Sequence, residues 1–230
     1  MTKNKSTLGV LFGKPGLFYV DIFDQIEPYL TTHKYHFMTD ESYNAFICSE
    51  HFTVVLANQI VSLELIDKAH LAATVALFRT KQWIEATCLG YESHNFMAWA
   101  AAARGLVEST GDILDGLLSV PLSLATHHHA ISKALAGRAS GTAFSFSEIE
   151  RGLDHFVLAH WMRAPKGEVR KAKDNAEYVQ ALEPSIPRVV EFYRRLCGIT
   201  HPSSASVEYL YEIGSDGLKV NLKNDRAEIG

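Results

Sequence analysis

An arginine pair and a histidine close an apolar helical pattern near residue 200. Arg194 and Arg195 are separated from His201 by six and five residues. That is about two helical turns, so a guanidinium and the imidazole share one face if the helix continues that far. A guanidinium grips phosphate oxygens in a two-pronged geometry, and an imidazole exchanges protons near physiological pH. The spacing predicts a phosphate-handling site; the alternative is that His201 only caps the helix and the arginines are surface charges.

A second polar group interrupts an apolar helical pattern earlier in the chain. Its members follow one another at spacings of four, three and four residues: Arg104, Glu108, Gly111 and Asp115. Such spacings place them on one face of a helix. As an exposed pair, Arg104 and Glu108 would contribute only about 0.2 to 0.5 kcal/mol to stability. The stripe either is solvated or faces His201, in which case Glu108 would orient the imidazole and Arg104 would add a second phosphate contact.

The histidines and cysteines do not form a metal-binding pattern. Adjacent helical residues point about 100 degrees apart, so the run His127–His129 cannot converge on one ion within a regular helix. The three cysteines lie far apart without a CxxC spacing, which fits a reduced interior better than a disulfide or zinc framework. We therefore predict no metal and no cofactor, and a surface position for the histidine run.

Length and composition are those of a globular chain. At 230 residues, with 47% hydrophobic and 21% charged residues, the chain can bury a sizeable core. A net charge of −4 argues against a broadly basic surface that coats nucleic acid, although a local cluster can still hold phosphate. The start of the chain lacks a signal-peptide pattern, and charges interrupt the apolar helical patterns. We therefore expect a cytoplasmic protein without a membrane span.

Prolines, glycines and capping residues divide the chain into segments. Residues 1–52 alternate short apolar pieces with glycine, proline and histidine, which predicts an irregular or short-helical segment. Apolar periodicity without proline then predicts a helical bundle over 53–204. Its predicted helices cover about 53–91, 96–119, 122–136, 145–162, 176–182 and 187–200.

The pattern changes after residue 204. Two alternating runs, 207–213 and 218–222, flank a glycine-rich turn, which is a hairpin signal. Because an isolated hairpin is marginal in water, it should pack on the bundle or pair with another chain. The predicted fold class is mainly α, an antiparallel helical bundle with a C-terminal β-hairpin and tail at 205–230.

Three sequence pieces occur together in the order found in a known superfamily. They are Ala102–Ser109, with an Arg-x-x-x-Glu pattern, then Ile149–Phe156, and finally Tyr193–Ser203, with the pattern Tyr-x-x-Leu-Cys-x-x-x-His-Pro-Ser. Over about residues 60–205 the chain resembles the HEPN superfamily, in particular its uncharacterised prokaryotic branch. The resemblance implies a helical bundle that forms a homodimer and belongs to a toxin–antitoxin or antiviral defence system.

The resemblance also implies an activity. Active members of the superfamily are typically metal-independent ribonucleases whose signature is an arginine and a histidine separated by four to six residues. A base takes the proton of a ribose 2′-hydroxyl, and a cation stabilises the charge on the phosphate. Carried over to this sequence, the catalytic residues are His201, Arg194, Arg195 and Glu108, and the substrate contacts are Arg104 and Ser203.

Two other functions stay open. A non-catalytic HEPN-like module would bind a nucleotide, RNA or a protein partner, the last through the hairpin as an edge for an added strand. A purely structural role as a bundle within a larger assembly is the third reading.

Overall fold

A computed structural model of the chain describes residues 5–158, 173–202, 204–208, 210–214 and 217–220. Over these ranges the chain is mainly helical, and the helices predicted at about 53–91, 96–119, 122–136, 176–182 and 187–200 are confirmed. The helix predicted at about 145–162 is confirmed as far as residue 158, and residues 159–162 lie outside the described ranges. The elements are α1 (Lys5–Leu30), α2 (Asp40–Ile47), α3 (Val54–Glu92), α4 (Phe96–Leu117), α5 (Val120–Leu135), α6 (Ser147–Leu158), α7 (Asn175–Leu182), α8 (Val189–Thr200), α9 (Ser204–Glu208), β1 (Tyr211–Gly214) and β2 (Gly217–Val220). No helix of the described ranges combines the length and the apolar character needed to cross a membrane.

The N-terminal segment is more regular than the sequence predicted. α1 contains one non-helical residue, Gly13, with φ 59° and ψ −156°, a conformation that glycine adopts without steric penalty. The chain reverses there, because Lys5 Nζ lies 2.8 Å from Asp21 Oδ1. In one straight helix, residues that far apart would be separated by about 24 Å. The glycine and proline signals therefore mark a turn between two helical arms, whose side chains Leu8 and Val20 share one apolar cluster.

Side-chain caps begin the helices α3 and α4. Thr53 Oγ1 accepts a hydrogen bond from the Leu56 backbone N–H at 3.1 Å before α3, and Asn95 Oδ1 accepts one from Ala98 at 3.0 Å before α4. Such caps satisfy amides that have no partner within the helix. α3 then runs for 39 residues without a break.

The chain divides into two compact units, each assembled from separate stretches of sequence. One contains residues 1–30, 77–114 and 174–230, and the other contains residues 31–76 and 115–173. We call them the first and the second unit. This division cuts across the 53–204 bundle predicted from the sequence.

Among the described residues of the first unit, buried apolar side chains form three clusters. One holds the two arms of α1 against Ile84 and Cys88 of α3. Another joins α7 and α8 through Val179, Leu182 and Tyr193. The third joins α4 to α8 through Ala100, Ala103 and Leu196.

The second unit has one apolar core. It consists of Leu65, Ala72, Val120, Ile131, Phe146, Ile149 and Leu153. The buried side chain of Asn58 fixes the segment before α6: its amide nitrogen donates to the carbonyls of Ala139 and Thr142, each at 3.1 Å, and its oxygen accepts from Phe144 at 2.7 Å. A buried amide with these partners fulfils the requirement that polar groups in a core be hydrogen-bonded.

The predicted fold class is wrong in its C-terminal part. Residues 204–208 form the helix α9, which includes the first two residues of the predicted strand run 207–213. A serine-rich stretch behind a proline is a typical helix start, and here it overrides the alternating pattern. Among the described residues, 211–214 pair with 217–220, with Tyr211 opposite Val220. Residues 221 and 222 of the second predicted run lie outside the described ranges. The fold class is corrected to mainly helical in two units.

Candidate functional site

α4 brings its polar residues to the end of α8 because the two helices pack through small side chains. Ala100 and Ala103 share a cluster with Leu196 of α8, and Ala100 is completely buried. Small side chains allow helix backbones to approach closely. Arg104 follows this contact directly on α4, so its long side chain reaches the last residues of α8.

Arg104 is the centre of a hydrogen-bond network. Its Nε donates to Oε1 of Glu108, one turn later on α4, at 2.8 Å. Its Nη1 lies 3.0 Å from Nε2 of His201 and 3.3 Å from Oγ1 of Thr200. The Arg104 and Glu108 side chains are each only 22% exposed, so water screens this pair less than a surface ion pair. Burial acts to lower the pKa of Arg104, but the hydrogen bond and charge of Glu108 outweigh it and raise that pKa.

Tyr193 ties Glu108 to α8. Its hydroxyl donates to Glu108 Oε1 at 2.7 Å, and its ring centroid lies 5.8 Å from Arg104 Cζ, within the range of a cation–π contact. Burial, followed by the hydrogen bond to Glu108, raises the pKa of Tyr193 far above its usual range. The hydroxyl therefore stays protonated, and the carboxylate is held by a donor from each helix.

His201 stands at the point where α8 ends. Its backbone N–H donates to the carbonyl of Cys197 at 2.9 Å, but its own φ and ψ of −85° and 152° are extended. The residue is exposed, and its ring is directed to Arg104 instead of along the helical face. Because a guanidinium has only donors, Nε2 is the acceptor in this contact. The imidazole is then neutral, with its proton on Nδ1.

No known protein family, characterised protein or solved structure matches this chain. The resemblance to the HEPN superfamily rests on the sequence pieces and stays a prediction. At the candidate site, the guanidinium of Arg104 and the imidazole of His201 meet at an exposed helix end. Such a pair is suited to an anionic group that also exchanges a proton.

The structure does not bring the predicted arginine pair to His201. Arg194 and Arg195 are both exposed, and within the described part of the chain no hydrogen bond links either of them to the imidazole. Arg194 lies seven residues before His201, which is about 10 Å along the helix axis, so sharing a face does not bring the two side chains into contact. Arg194 instead lines a cavity of about 740 Å³ beside α7 and α8.

Two further predicted residues have different outcomes. Glu108 belongs to the network, but it contacts Arg104 and Tyr193 and not His201. It therefore orients the guanidinium, where the sequence suggested that it would orient the imidazole. Ser203 lies outside the described residues.

Sequence reasoning missed the roles of Tyr193 and Thr200. The signal that would have found them is their spacing: Tyr193, Leu196 and Thr200 recur at three and four residues, the stripe that one face of a helix presents to a neighbour. Leu196 is almost fully buried in the contact with α4. Tyr193 and Thr200, one turn before and after Leu196, therefore contact the polar residues of α4.

The histidine run is on the surface. His127, His128 and His129 are all exposed, and His128 Nε2 lies 3.4 Å from Ser132 Oγ. Among the described residues, no three side chains of the metal-ligating types converge on a common point.

Proposed function

We propose that this chain is a HEPN-like helical protein that acts on single-stranded RNA as a metal-independent endoribonuclease, with His201 as the base and Arg104 as the phosphate clamp. One observation carries the proposal: Arg104 Nη1 lies 3.0 Å from His201 Nε2 at the exposed end of α8. It supports a guanidinium–imidazole pair, although with a different arginine from the one that the spacing suggested.

The proposed reaction needs only these two groups near the phosphate. Nε2 of His201 takes the proton of a ribose 2′-hydroxyl, the 2′-oxygen bonds to the adjacent phosphorus, and the bond from phosphorus to the 5′-oxygen breaks. The leaving 5′-oxygen takes up a proton from water and His201 returns its proton to the solvent, so the products are a 2′,3′-cyclic phosphate and a 5′-hydroxyl. Arg104 stabilises the added negative charge on the phosphate oxygens, and Glu108 with Tyr193 holds the guanidinium in place.

The test is cleavage of a single-stranded RNA oligonucleotide by the purified protein in the presence of a chelator. His201→Ala should lower the rate by about 10²- to 10⁴-fold, the range for loss of a general acid–base group, and Arg104→Gln should lower it comparably. His129→Ala is the matched control, because His129 is exposed in the second unit. A substrate with a 2′-deoxyribose at the cleaved position should resist cleavage. Undiminished cleavage by His201→Ala would remove His201 from the mechanism.

A second candidate is a non-catalytic HEPN-like module that binds RNA or a nucleotide in a prokaryotic defence or toxin–antitoxin system. One observation favours it: the basic nitrogen of His201 already accepts from Arg104, so in this arrangement it has no lone pair for a substrate proton. Fluorescence anisotropy with labelled RNA separates the two candidates. Binding that Arg104→Gln weakens, without any cleavage by the parent protein, would favour the binding module.

A further inference from the structure

The hydrogen bonds of Arg104 leave one way for a phosphate to bind. A guanidinium carries five N–H donors, one on Nε and two on each Nη. Glu108 uses Nε, while His201 and Thr200 use Nη1. No hydrogen bond within the described ranges uses Nη2, so its two donors are the first that an incoming anion meets.

The geometry of the guanidinium then decides what the anion displaces. A two-pronged grip on phosphate uses either the side edge, Nε with Nη2, or the end, Nη1 with Nη2. The carboxylate of Glu108 occupies the side edge at 2.8 Å and is fixed there by Tyr193 at 2.7 Å. A phosphate can therefore bind in two-pronged fashion only at the Nη1–Nη2 end. That mode needs an N–H donor of Nη1 that is now hydrogen-bonded to His201 or Thr200.

Lone-pair repulsion determines that the phosphate displaces His201, and not Thr200, from Nη1 of Arg104. In the structure Nε2 faces the guanidinium with its lone pair, because it is the acceptor in that contact. A phosphate oxygen at Nη1 would lie against the same lone pair, and two acceptors side by side repel each other. Thr200 does not have this conflict, since its hydroxyl already donates to the Leu196 carbonyl at 2.9 Å and can donate to a phosphate oxygen instead.

We infer that the contact with Arg104 masks His201 and that an anionic phosphate group, by binding the Nη1–Nη2 end of Arg104, releases the imidazole. The clamp thereby controls the base, so that Nε2 becomes available only when a phosphate is in place. In this role Glu108 and Tyr193 are positioning residues, because they close the side edge of the guanidinium. The biological meaning of the switch, a base unmasked by its substrate, rests on the function proposed above.

The experiment uses the full chain and inorganic phosphate as the probe. Long-range ¹H–¹⁵N NMR reports the ring nitrogens of His201, assigned by their absence in His201→Ala, and the Nε of Arg104. Phosphate replaces chloride at constant pH and ionic strength. We expect a protonated Nδ1 and a hydrogen-bonded Nε2 without phosphate, and shifts of the His201 and Arg104 signals that follow one binding curve. The signals of His129 should not move, and Arg138→Gln, which removes an exposed charge from the second unit, should leave the curve unchanged.

Glu108→Ala tests the role of the side edge. With that edge open, phosphate can bind through Nε and Nη2 and leave the His201 contact intact. We therefore expect the Arg104 signal to respond while the His201 signal stays in place. The dispersion of amide signals shows whether this variant folds; if it does not, the result with the parent chain alone decides.

Two results would overturn the inference: a response of Arg104 to phosphate without one from His201 in the parent chain, or no response from either side chain. The outcome is separable from that of the proposed function, because no RNA is involved. Cleavage of RNA without a linked response of His201 would refute only the inferred release of His201 by phosphate. A linked response in a protein that cleaves no RNA would refute only the proposed endoribonuclease function.

Discussion

The bond from Tyr193 to Glu108 offers a quantitative test of the network. Tyr193→Phe keeps the ring and removes only the hydroxyl that donates to Glu108 Oε1 at 2.7 Å. The tyrosine is 8% exposed and the carboxylate 22%, so water replaces the lost donor poorly. A hydrogen bond to a charged group contributes about 1.5 to 3 kcal/mol. Because Arg104 still holds the carboxylate, we expect a loss near the lower end, about 2 kcal/mol.

A double-mutant cycle isolates that term. Glu108→Ala removes the acceptor of two hydrogen bonds and should cost about 3 to 4 kcal/mol. In the Glu108→Ala background, Tyr193→Phe should cost nothing or stabilise slightly, because it then removes a buried hydroxyl without a partner. The coupling energy should therefore be about 2 kcal/mol, which is roughly a 30-fold change in the folding equilibrium.

Urea unfolding followed by far-ultraviolet circular dichroism measures these differences. With a slope of roughly 2 kcal/mol per molar urea, 2 kcal/mol moves the midpoint by about 1 M. Tyr91→Phe is the matched control in the same unit, since no described hydrogen bond uses the Tyr91 hydroxyl, and it should shift the midpoint little. A coupling energy below about 0.5 kcal/mol would refute the claim that the two helices are joined through this carboxylate.

Two further predictions concern the packing and titration of the first unit. A Cβ at Gly111 would lie 2.5 Å from the Tyr178 carbonyl oxygen, so Gly111→Ala should destabilise by about 1 to 3 kcal/mol despite a helix-propensity gain of about 1 kcal/mol. Gly141→Ala, with open space around it, is the control, and a stabilised Gly111→Ala would contradict the clash. Burial raises the pKa of Tyr19 to about 12, against about 10 in an unfolded chain. The contribution of this protonated hydroxyl to stability is complete below pH about 10 and is lost as the pH rises towards 12. The thermal midpoint of Tyr19→Phe should therefore decline less steeply over that interval than that of the parent protein. An equal slope in both proteins would disprove this.

Local signals in the sequence were sufficient for most of the helices and for part of the site. Proline-free apolar periodicity and caps such as Asn95 set the ends of the long helices, because these depend on neighbouring residues alone. The same locality paired Arg104 with Glu108, four residues apart on α4. The alternating pattern was misleading at residues 207 and 208, which belong to α9, because a helix-start signal close behind Pro202 outweighs alternation there.

The chain by itself determined that α8 would end next to a histidine, because Pro202 cannot continue a helix. Only the tertiary structure decided which cation meets that histidine. Arg104 is 97 residues away in sequence, and it arrives because Ala100 and Ala103 let α4 approach Leu196 closely. Arg194 and Arg195 are near in sequence, but residues two turns apart on one helix are separated by about 10 Å along its axis even when they share a face. Spacing predicts which residues share a face; packing between distant segments determines which faces meet.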